Sequence, residues 1–332
     1  MIPRQDNPIL TRLRLPVVAA PMLLVSGPEL VIAACRAGVL GAFPVWNARE
    51  DGELDDWFMQ LEGAEAAASD TASDTAFAPF APNLIVHETN PRLEAQLQVI
   101  LEHRPPVVIT SVGSPSKVVA RIQEAGIQVW ADVASVRHAQ RSIDAGVDGL
   151  ILLTAGAGGN TGYANPFAFV RSVRARYDGV IALAGGQADG WCVWAAEGLG
   201  CDLSYMGTRF IATTESRAPE DYKQMIVSSE LDDIHLTSAF SGIPMSVLRP
   251  SLLAQGLNPD DLEGSSRGFA GVASMPGHQQ KRYREVWSAG HSVSVIRDLS
   301  PVADVVDRLV REYLLAARDQ QSGRYGATTL PG

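Results

Sequence analysis

The chain has 332 residues, of which 46% are hydrophobic and 19% are charged, and its formal net charge is −10. This length suits one large α/β domain with an insertion, or two modest domains. The negative charge and the lack of a basic cluster argue against nucleic acid and anionic membranes as partners, and no apolar run reaches the ~20 residues that span a bilayer.

Short apolar runs alternate with amphipathic segments through the first two thirds of the chain. We predict eight strands, at residues 16–20, 39–43, 80–85, 106–110, 127–131, 149–153, 180–184 and 203–206. Helical periodicity between them predicts helices at residues 28–37, 91–103, 116–125, 136–145, 166–177 and 188–199. This alternation is typical of parallel βα units.

The turn after the first predicted strand decides between two α/β folds. A doubly wound dinucleotide-binding sheet would carry the pattern GxGxxG there, whereas this chain has Ala20-Pro21-Met22-Leu23. Eight strand–helix units over about 210 residues fit a closed (β/α)8 TIM barrel better. We therefore predict an α/β chain built on that barrel.

Two segments interrupt the alternation. Residues 62–76 are small and acidic with a repeated Ser-Asp-Thr-Ala, and we interpret them as a solvated loop between the second and third strands. Residues 214–290 are richer in Pro, Gly, Ser, Met and aromatic residues, which favours a helical lid inserted after the last strand. The predicted division is a barrel at 1–213, a lid at 214–290, and a C-terminal segment at 291–332 whose amphipathic helix (301–318) packs back on the barrel.

A glycine-rich loop follows the sixth predicted strand, where residues 154–162 read Thr-Ala-Gly-Ala-Gly-Gly-Asn-Thr-Gly. Its glycines, among them Gly158 and Gly159, permit positive φ angles and a close approach to a flat ligand. Barrels of this kind carry their reactive groups on the loops after the strands. We therefore predict that Gly158 and Gly159 contact a cofactor and that Asn160 is a catalytic side chain.

The loops after the seventh and eighth strands resemble a phosphate cradle. They contain Gly185-Gly186 and Gly207-Thr208, each leading into a helix. Bare backbone N–H groups and helix N-termini bind phosphate, and these two loops are where such barrels commonly bind it. The alternative for Gly185 and Gly186 is a tight strand-to-helix turn.

Three further positions are candidate ligand contacts. Ala20-Pro21-Met22 places a rigid proline and a thioether at the barrel mouth, which suits packing against a planar ring, although Met22 can equally be a core residue. Asn83 can reach the same ligand, or it is a turn residue after Pro82. Lys117 can meet an anion, with an exposed helix lysine as the alternative.

The histidines do not predict a metal site, since none of His87, His103, His138, His235, His278 and His291 has HxH, HxxxH or HExxH spacing. No serine lies in a GxSxG elbow. His291 is the one histidine in a glycine-flanked loop between the lid and the last helix, so it is either a proton-transfer group or a structural histidine.

Taken together, these motifs resemble the nitronate monooxygenase (2-nitropropane dioxygenase-like) family of FMN-dependent barrel enzymes. The matching stretches run in family order at 16–22, 83–84, 111–115, 146–149, 157–162, 184–186 and 206–210. The resemblance implies non-covalently bound FMN. It also implies that Gly185, Gly186, Gly207 and Thr208 hold its phosphate, and that Ala20, Met22 and Asn83 lie beside its rings.

The chain departs from the family at one position. The family's glycine-rich loop usually reads AGGH and its histidine is the proposed base, whereas the matching residue here is Asn160. An amide does not titrate near neutral pH, so it cannot remove a proton from a neutral nitroalkane. It can donate a hydrogen bond to a nitronate or carbonyl oxygen. Any proton transfer would then fall to another group, such as His291.

Three functions remain open. The first is oxidation of alkyl nitronates with O2, which needs no base because the nitronate is already an anion. The second is reduction or dehydrogenation of an enoyl- or related acyl-thioester such as a CoA ester with NAD(P)H, with Asn160 polarising the carbonyl and His291 or Tyr163 as proton donor. The third is a flavin-binding barrel without catalysis.

The cysteines and the N-terminus predict a cytoplasmic protein. Cys35, Cys192 and Cys201 are odd in number and widely spaced, which indicates a reducing compartment, and residues 1–6 lack the features of a signal peptide. The apolar face of residues 302–315 can cover the barrel wall or serve a homodimer.

Overall fold

A computed structural model describes residues 6–69, 76–240, 242–262 and 285–321. In chain order its strands are β1 (Val17–Ala19), β2 (Leu40–Pro44), β3 (Phe80–Ile85), β4 (Val107–Ser111), β5 (Gln128–Val133), β6 (Gly149–Leu153), β7 (Gly159–Asn160), β8 (Val180–Ala184), β9 (Leu203–Met206), β10 (Ile234–Thr237) and β11 (Met245–Leu248). Strands β1 to β6, β8 and β9 form a closed barrel in sequence order, with every neighbouring pair parallel. The predicted TIM barrel is confirmed.

Helices cover the outside of the barrel because its strands are apolar on both faces. In chain order they are α1 (Pro28–Arg36), α2 (Glu53–Ser69), α3 (Leu93–His103), α4 (Val119–Glu124), α5 (Val136–Asp144), α6 (Pro166–Arg174), α7 (Gly190–Leu199), α8 (Thr208–Ile211), α9 (Glu220–Ser228), α10 (Arg249–Ala254) and α11 (Val302–Gln321). The outward side chains of the strands and the apolar faces of α1 to α6 form one continuous core.

The lower end of the barrel is closed by side chains. Trp130 is fully buried among the inward residues, and its indole N–H donates to Gln128 Oε1 at 3.2 Å. The Asn7 side chain also donates to Gln128, at 3.0 Å, so the N-terminal segment lies across this end. A Cβ at Gly149 would lie 2.5 Å from the Trp130 ring, which explains the glycine. A ligand therefore has access from the opposite end, where the strands end.

The prediction of a loop over 62–76 is wrong for residues 62–69, which continue α2. Alanine and glutamate have high helix propensity, and the buried residues Leu54, Phe58, Leu61 and Ala64 recur at helical spacing. The small, acidic composition of residues 62–69 is therefore that of an exposed helix face rather than of a loop. Residues 70–75, which hold most of the Ser-Asp-Thr-Ala repeat, lie outside the described residues.

The segment after β9 contains helices α8, α9 and α10 and, in addition, a β-hairpin that the sequence did not predict. Strands β10 and β11 are antiparallel, and β11 also pairs with β7, so the hairpin reaches back to the glycine-rich loop. Residues 263–284 of the predicted lid lie outside the described residues. The three-part division of the chain stays a prediction.

The last helix, α11, packs against α1 and α7. Its buried residues Val302, Val305, Val306 and Leu309 join the core beneath α1. This apolar face therefore covers the barrel wall, and a homodimer stays a prediction. Within the described residues, no helix is long and apolar enough to cross a membrane.

His103 links α3 to α2 through two carboxylates. Its Nε2 lies 2.8 Å from Asp55 Oδ1, its Nδ1 lies 2.8 Å from Glu62 Oε1, and its ring stacks on Phe58. Burial by itself lowers the pKa of His103, but the hydrogen bonds to Asp55 and Glu62 outweigh burial and raise this pKa above 6.5. The imidazolium, which has two N–H donors, fits both acceptors.

We expect this contact to stabilise the fold below pH about 6.5 and to lose that effect as pH rises through the higher folded pKa. At low pH, the variant His103→Gln is expected to have an unfolding free energy lower than that of the wild type by on the order of 1 kcal/mol. The expected difference is small because both carboxylates are partly exposed, and it should shrink as pH rises. Urea unfolding of both proteins between about pH 5 and about pH 9 measures it. A difference that does not change with pH would contradict this role.

Candidate active site

At the open end of the barrel, loops that follow the strands contact one another in two pairs. The β6 loop touches the β8 loop, since a Cβ at Gly185 would lie 2.4 Å from Thr154 Oγ1. The β9 loop touches the β1 loop, since a Cβ at Gly207 would lie 3.6 Å from Met22 Sδ and 3.9 Å from Ala20 Cβ. The structure thus brings four of the predicted loops into contact as two pairs.

Gly185 and Gly186 both have positive φ, +118° and +70°. Gly185 is packed tightly, because Thr154 donates from both its N–H and its hydroxyl to the carbonyl of Ala184. At Gly186 a Cβ would meet nothing within 4 Å, so its backbone borders open space. One part of the cradle prediction is wrong: α7 begins only at Gly190, and the Asp189 side chain already caps it.

Thr208 is buried at the start of α8, a helix of four residues. Its Oγ1 accepts a hydrogen bond from the N–H of Gly290 at 2.9 Å, and its own hydroxyl proton is free to be donated. In the described part of the chain, the N–H groups of Gly186 and Thr208 have no acceptor. These backbone donors, rather than a helix dipole, are what an anion would bind. The next residue, Arg209, is paired with Asp298 instead.

The β1 loop is held in place by two side chains that sequence reasoning missed. Ser26 Oγ accepts from the N–H of Met22 and donates to the carbonyl of Ala20. Asn47 Nδ2 donates to the carbonyls of Met22 and Ser26, at 3.0 and 2.9 Å, and its Oδ1 accepts from Leu24. Leu24 has a φ of +64°, which is costly for leucine and is maintained by these bonds.

Loss of the Asn47 side chain is expected to loosen this loop. We expect Asn47→Ala to lower the unfolding free energy by about 1–3 kcal/mol, because three backbone groups lose their partner. The matched variant Asn47→Asp keeps the acceptor for Leu24 but turns a carboxylate toward two carbonyls. We therefore expect Asn47→Asp to be no more stable than Asn47→Ala. Urea unfolding checks both, and wild-type stability of Asn47→Ala would contradict this role.

A layer of inward polar side chains lies at the upper end of the strands. Asn83 is buried on β3, and its Oδ1 accepts from Ser111 Oγ on β4 at 3.1 Å. Asp132 on β5 and Tyr205 on β9 also point inward near this end, since they follow the inward residues Trp130 and Leu203 by two positions. Asp132 was missed because the predicted strand ended at residue 131.

Lys117, the predicted anion contact, lies six residues after the end of β4. It is exposed on the 3-10 turn Pro115–Lys117, and no hydrogen bond or ion pair within the described residues ties it to the mouth. The turn is preceded by Val112, whose φ of +51° is a strained conformation for a β-branched residue.

The glycine-rich loop is covered by residues 289–291. A Cβ at Gly158 would lie 2.7 Å from Gly290 N, and a Cβ at Gly156 would lie 2.7 Å from His291 Nδ1. The N–H of His291 donates to the carbonyl of Gly156 at 2.9 Å. These contacts explain the glycines at 156 and 158 without a ligand. They also place the exposed His291 ring beside the loop that carries Asn160.

Asn160 lies on β7, where it is the register partner of Met245 in the hairpin. Its neighbour Thr161 donates from its N–H to the carbonyl of Pro244 and from its hydroxyl to the carbonyl of Thr154. Asn160 itself is exposed. The hairpin and the barrel therefore hold the backbone of Asn160 from both sides, and its amide is accessible to a substrate.

This chain is similar to known proteins over most of its length. A model of the nitronate monooxygenase family matches residues 53–312. A nitronate monooxygenase of Paraburkholderia phytofirmans is 28% identical over 90% of this chain and 92% of its own length. The (3aS,4S,5R,7aS)-5-hydroxy-7a-methyl-1-oxo-octahydro-1H-indene-4-carboxyl-CoA dehydrogenase of Rhodococcus jostii is 25% identical over 91% of this chain and 79% of its own length.

Among solved structures, FabK from Thermotoga maritima has a TM-score of 0.78 at 25% identity and covers 97% of this chain and 99% of its own. These similarities confirm the resemblance that the motifs predicted, and with it the class of flavin-dependent oxidoreductases.

Proposed function

Since this chain belongs to the nitronate monooxygenase family, we propose that it is an FMN-dependent enzyme that oxidises alkyl nitronates with O2. The observation that carries the choice of substrate is Asn160 at the barrel mouth, in place of a histidine. A nitronate arrives deprotonated, so its oxidation requires a hydrogen-bond donor for its oxygens and no base.

The mouth suits FMN in two respects. The N–H groups of Gly186 and Thr208 have no acceptor in the described part of the chain, and open space borders Gly186, so with Gly185 and Gly207 they can hold a phosphate. The β1 loop, with Ala20, Pro21 and Met22, and the buried Asn83 would lie beside the ring, with Gly159 at its substrate side. When bound, FMN would supply the oxidation of the substrate and the return of electrons to O2.

Gly158, Lys117 and His291 occupy different positions relative to the mouth, and we propose a different role for each. Gly158 packs on Gly290, so we propose that it shapes the loop rather than touches the flavin. Within the described residues, no hydrogen bond or ion pair ties Lys117 to the mouth, and we leave it out of the proposed site. His291 lies beside Gly156 with its ring exposed, where it can exchange protons with solvent and with a substrate.

A second candidate function is redox chemistry on an acyl-thioester with NAD(P)H. The similarity to a CoA dehydrogenase supports it, and so does Tyr163, which is 86% exposed next to the glycine-rich loop and can contact a bulky substrate. Asn160 would polarise the carbonyl in that reaction, with His291 or Tyr163 as the proton donor.

The proposed function is tested by turnover of the FMN-loaded protein on one compound in two forms, the alkyl nitronate and the neutral nitroalkane. Oxygen consumption is measured before the two forms interconvert. We expect turnover on the nitronate and little on the nitroalkane. Equal rates on both forms would contradict the role given to Asn160.

A further inference from the structure

A partly buried carboxyl group at the barrel mouth, that of Asp132, has no role in the chemistry described so far. Along β5, Gln128 and Trp130 point into the barrel, so Asp132 also points inward, one layer nearer the mouth. Its Oδ1 is buried and has no hydrogen-bond partner among the residues that the structure describes. Buried polar atoms are usually paired, and an unpaired one in a ligand-binding barrel indicates an absent partner.

In the described part of the chain, no cation compensates the charge of Asp132. The inward residues of β4 and β6 are neutral, and the titratable group from another strand that senses its charge is Tyr205. Helices α4 and α5 pack on the outer face of β5, and their charged or titratable side chains are exposed there: Arg121, Glu124, Arg137, His138, Arg141 and Asp144. Burial therefore raises the pKa of Asp132 to about 7. Near neutral pH, the Asp132 carboxyl is therefore protonated in a large fraction of the molecules, and in that form it has one O–H to donate.

We infer that Asp132 is a flavin-contacting residue whose neutral carboxyl donates a hydrogen bond to an acceptor atom of the ring. This inference rests on the proposed flavin site. The isoalloxazine ring offers carbonyl oxygens and ring nitrogens as acceptors, and a ring seated on the mouth would face the inward side chains of Asn83 and Asp132. The ionised carboxylate has no proton to donate and repels those acceptors.

Proton linkage makes this contact measurable. If the bound ring accepts a hydrogen bond from the neutral acid, binding favours the protonated form, and the affinity for flavin falls as pH rises through the pKa of free Asp132. The dissociation constant for FMN is then expected to rise by up to about tenfold per pH unit above about pH 7.

The experiment is an FMN titration of the apoprotein at several pH values between about pH 6 and about pH 9, followed by flavin fluorescence. Asp132→Asn keeps a donor that does not titrate, and is expected to bind FMN with little of this pH dependence. Asp132→Ala has no donor at this position. It is expected to bind FMN more weakly than the wild type at low pH, and its affinity is also expected to lack this pH dependence. Asp144→Asn, an exposed change on α5, is the matched control and is expected to follow the wild type. The titration of the FMN phosphate is common to all four proteins and cancels in the comparison.

Equal pH dependence in the wild type and in folded Asp132→Asn and Asp132→Ala would overturn the inference and leave the proposed function standing. Failure of every protein, the wild type included, to bind FMN at any pH would overturn the proposed function and this inference with it.

Discussion

Replacement of Gly185 by alanine is expected to weaken FMN binding by about tenfold or more. The backbone there has a φ of +118°, which alanine rarely adopts, and the new Cβ would lie 2.4 Å from Thr154 Oγ1 and 3.1 Å from the carbonyl oxygen of Ala155. Strained conformations of this kind cost about 1–3 kcal/mol, and each 1.4 kcal/mol is about a tenfold change in affinity. The β8 loop must move to relieve the contact, and the proposed phosphate donor of Gly186 moves with it.

Flavin titration with the folded variant measures this effect. Gly63→Ala is the matched control, because Gly63 lies within α2, has no positive φ, and a Cβ there would meet nothing within 4 Å. This control is expected to keep wild-type FMN affinity and to gain up to about 1 kcal/mol of stability from helix propensity. Wild-type affinity in folded Gly185→Ala would show that the β8 loop does not hold the phosphate.

Replacement of Asn160 by histidine is expected to create activity on neutral nitroalkanes. A positioned general base contributes about 10²–10⁴-fold to such proton transfers, and a side chain placed without further optimisation should reach the lower end of that range. The gain should increase as pH rises through the imidazole pKa, about 6.5, because the neutral ring is the base. Turnover of the nitronate should change little, since that reaction needs no base.

Two variants at the same position separate the base from the hydrogen bond. Asn160→Gln keeps an amide and is expected to gain no nitroalkane activity, whereas Asn160→Ala loses the donor and is expected to slow nitronate turnover. Initial rates on both substrate forms across pH give the comparison. A gain in Asn160→Gln equal to that in Asn160→His would show that the new activity does not come from a titrating base.

The barrel was predictable because its strands are buried on both faces and therefore appear as continuous apolar runs. The predicted bounds of the third, sixth, seventh and eighth strands agree with those of β3, β6, β8 and β9. The loops of the candidate site follow from that register, since the end of each parallel strand fixes where its loop emerges.

The features that were missed depend on contacts between distant parts of the chain. The hairpin of β10 and β11 is stabilised partly by β7, more than 70 residues earlier, and no local pattern encodes that pairing. Asn47 supports the β1 loop across 21 to 25 residues, and as a single polar residue it carries no motif. Gly158 was predicted to contact a cofactor, whereas a Cβ there would lie 2.7 Å from Gly290 N, so the segment at Gly290 already lies beside it.

The most direct test of the proposed function is anaerobic mixing of the FMN-loaded protein with an alkyl nitronate and, separately, with NADH and NADPH, while the flavin absorbance is followed. If the chain is a nitronate-oxidising flavoenzyme, the nitronate bleaches the flavin and neither pyridine nucleotide does so at a comparable rate. Rapid bleaching by NADH or NADPH with no reaction of the nitronate would contradict it and favour the acyl-thioester reaction instead.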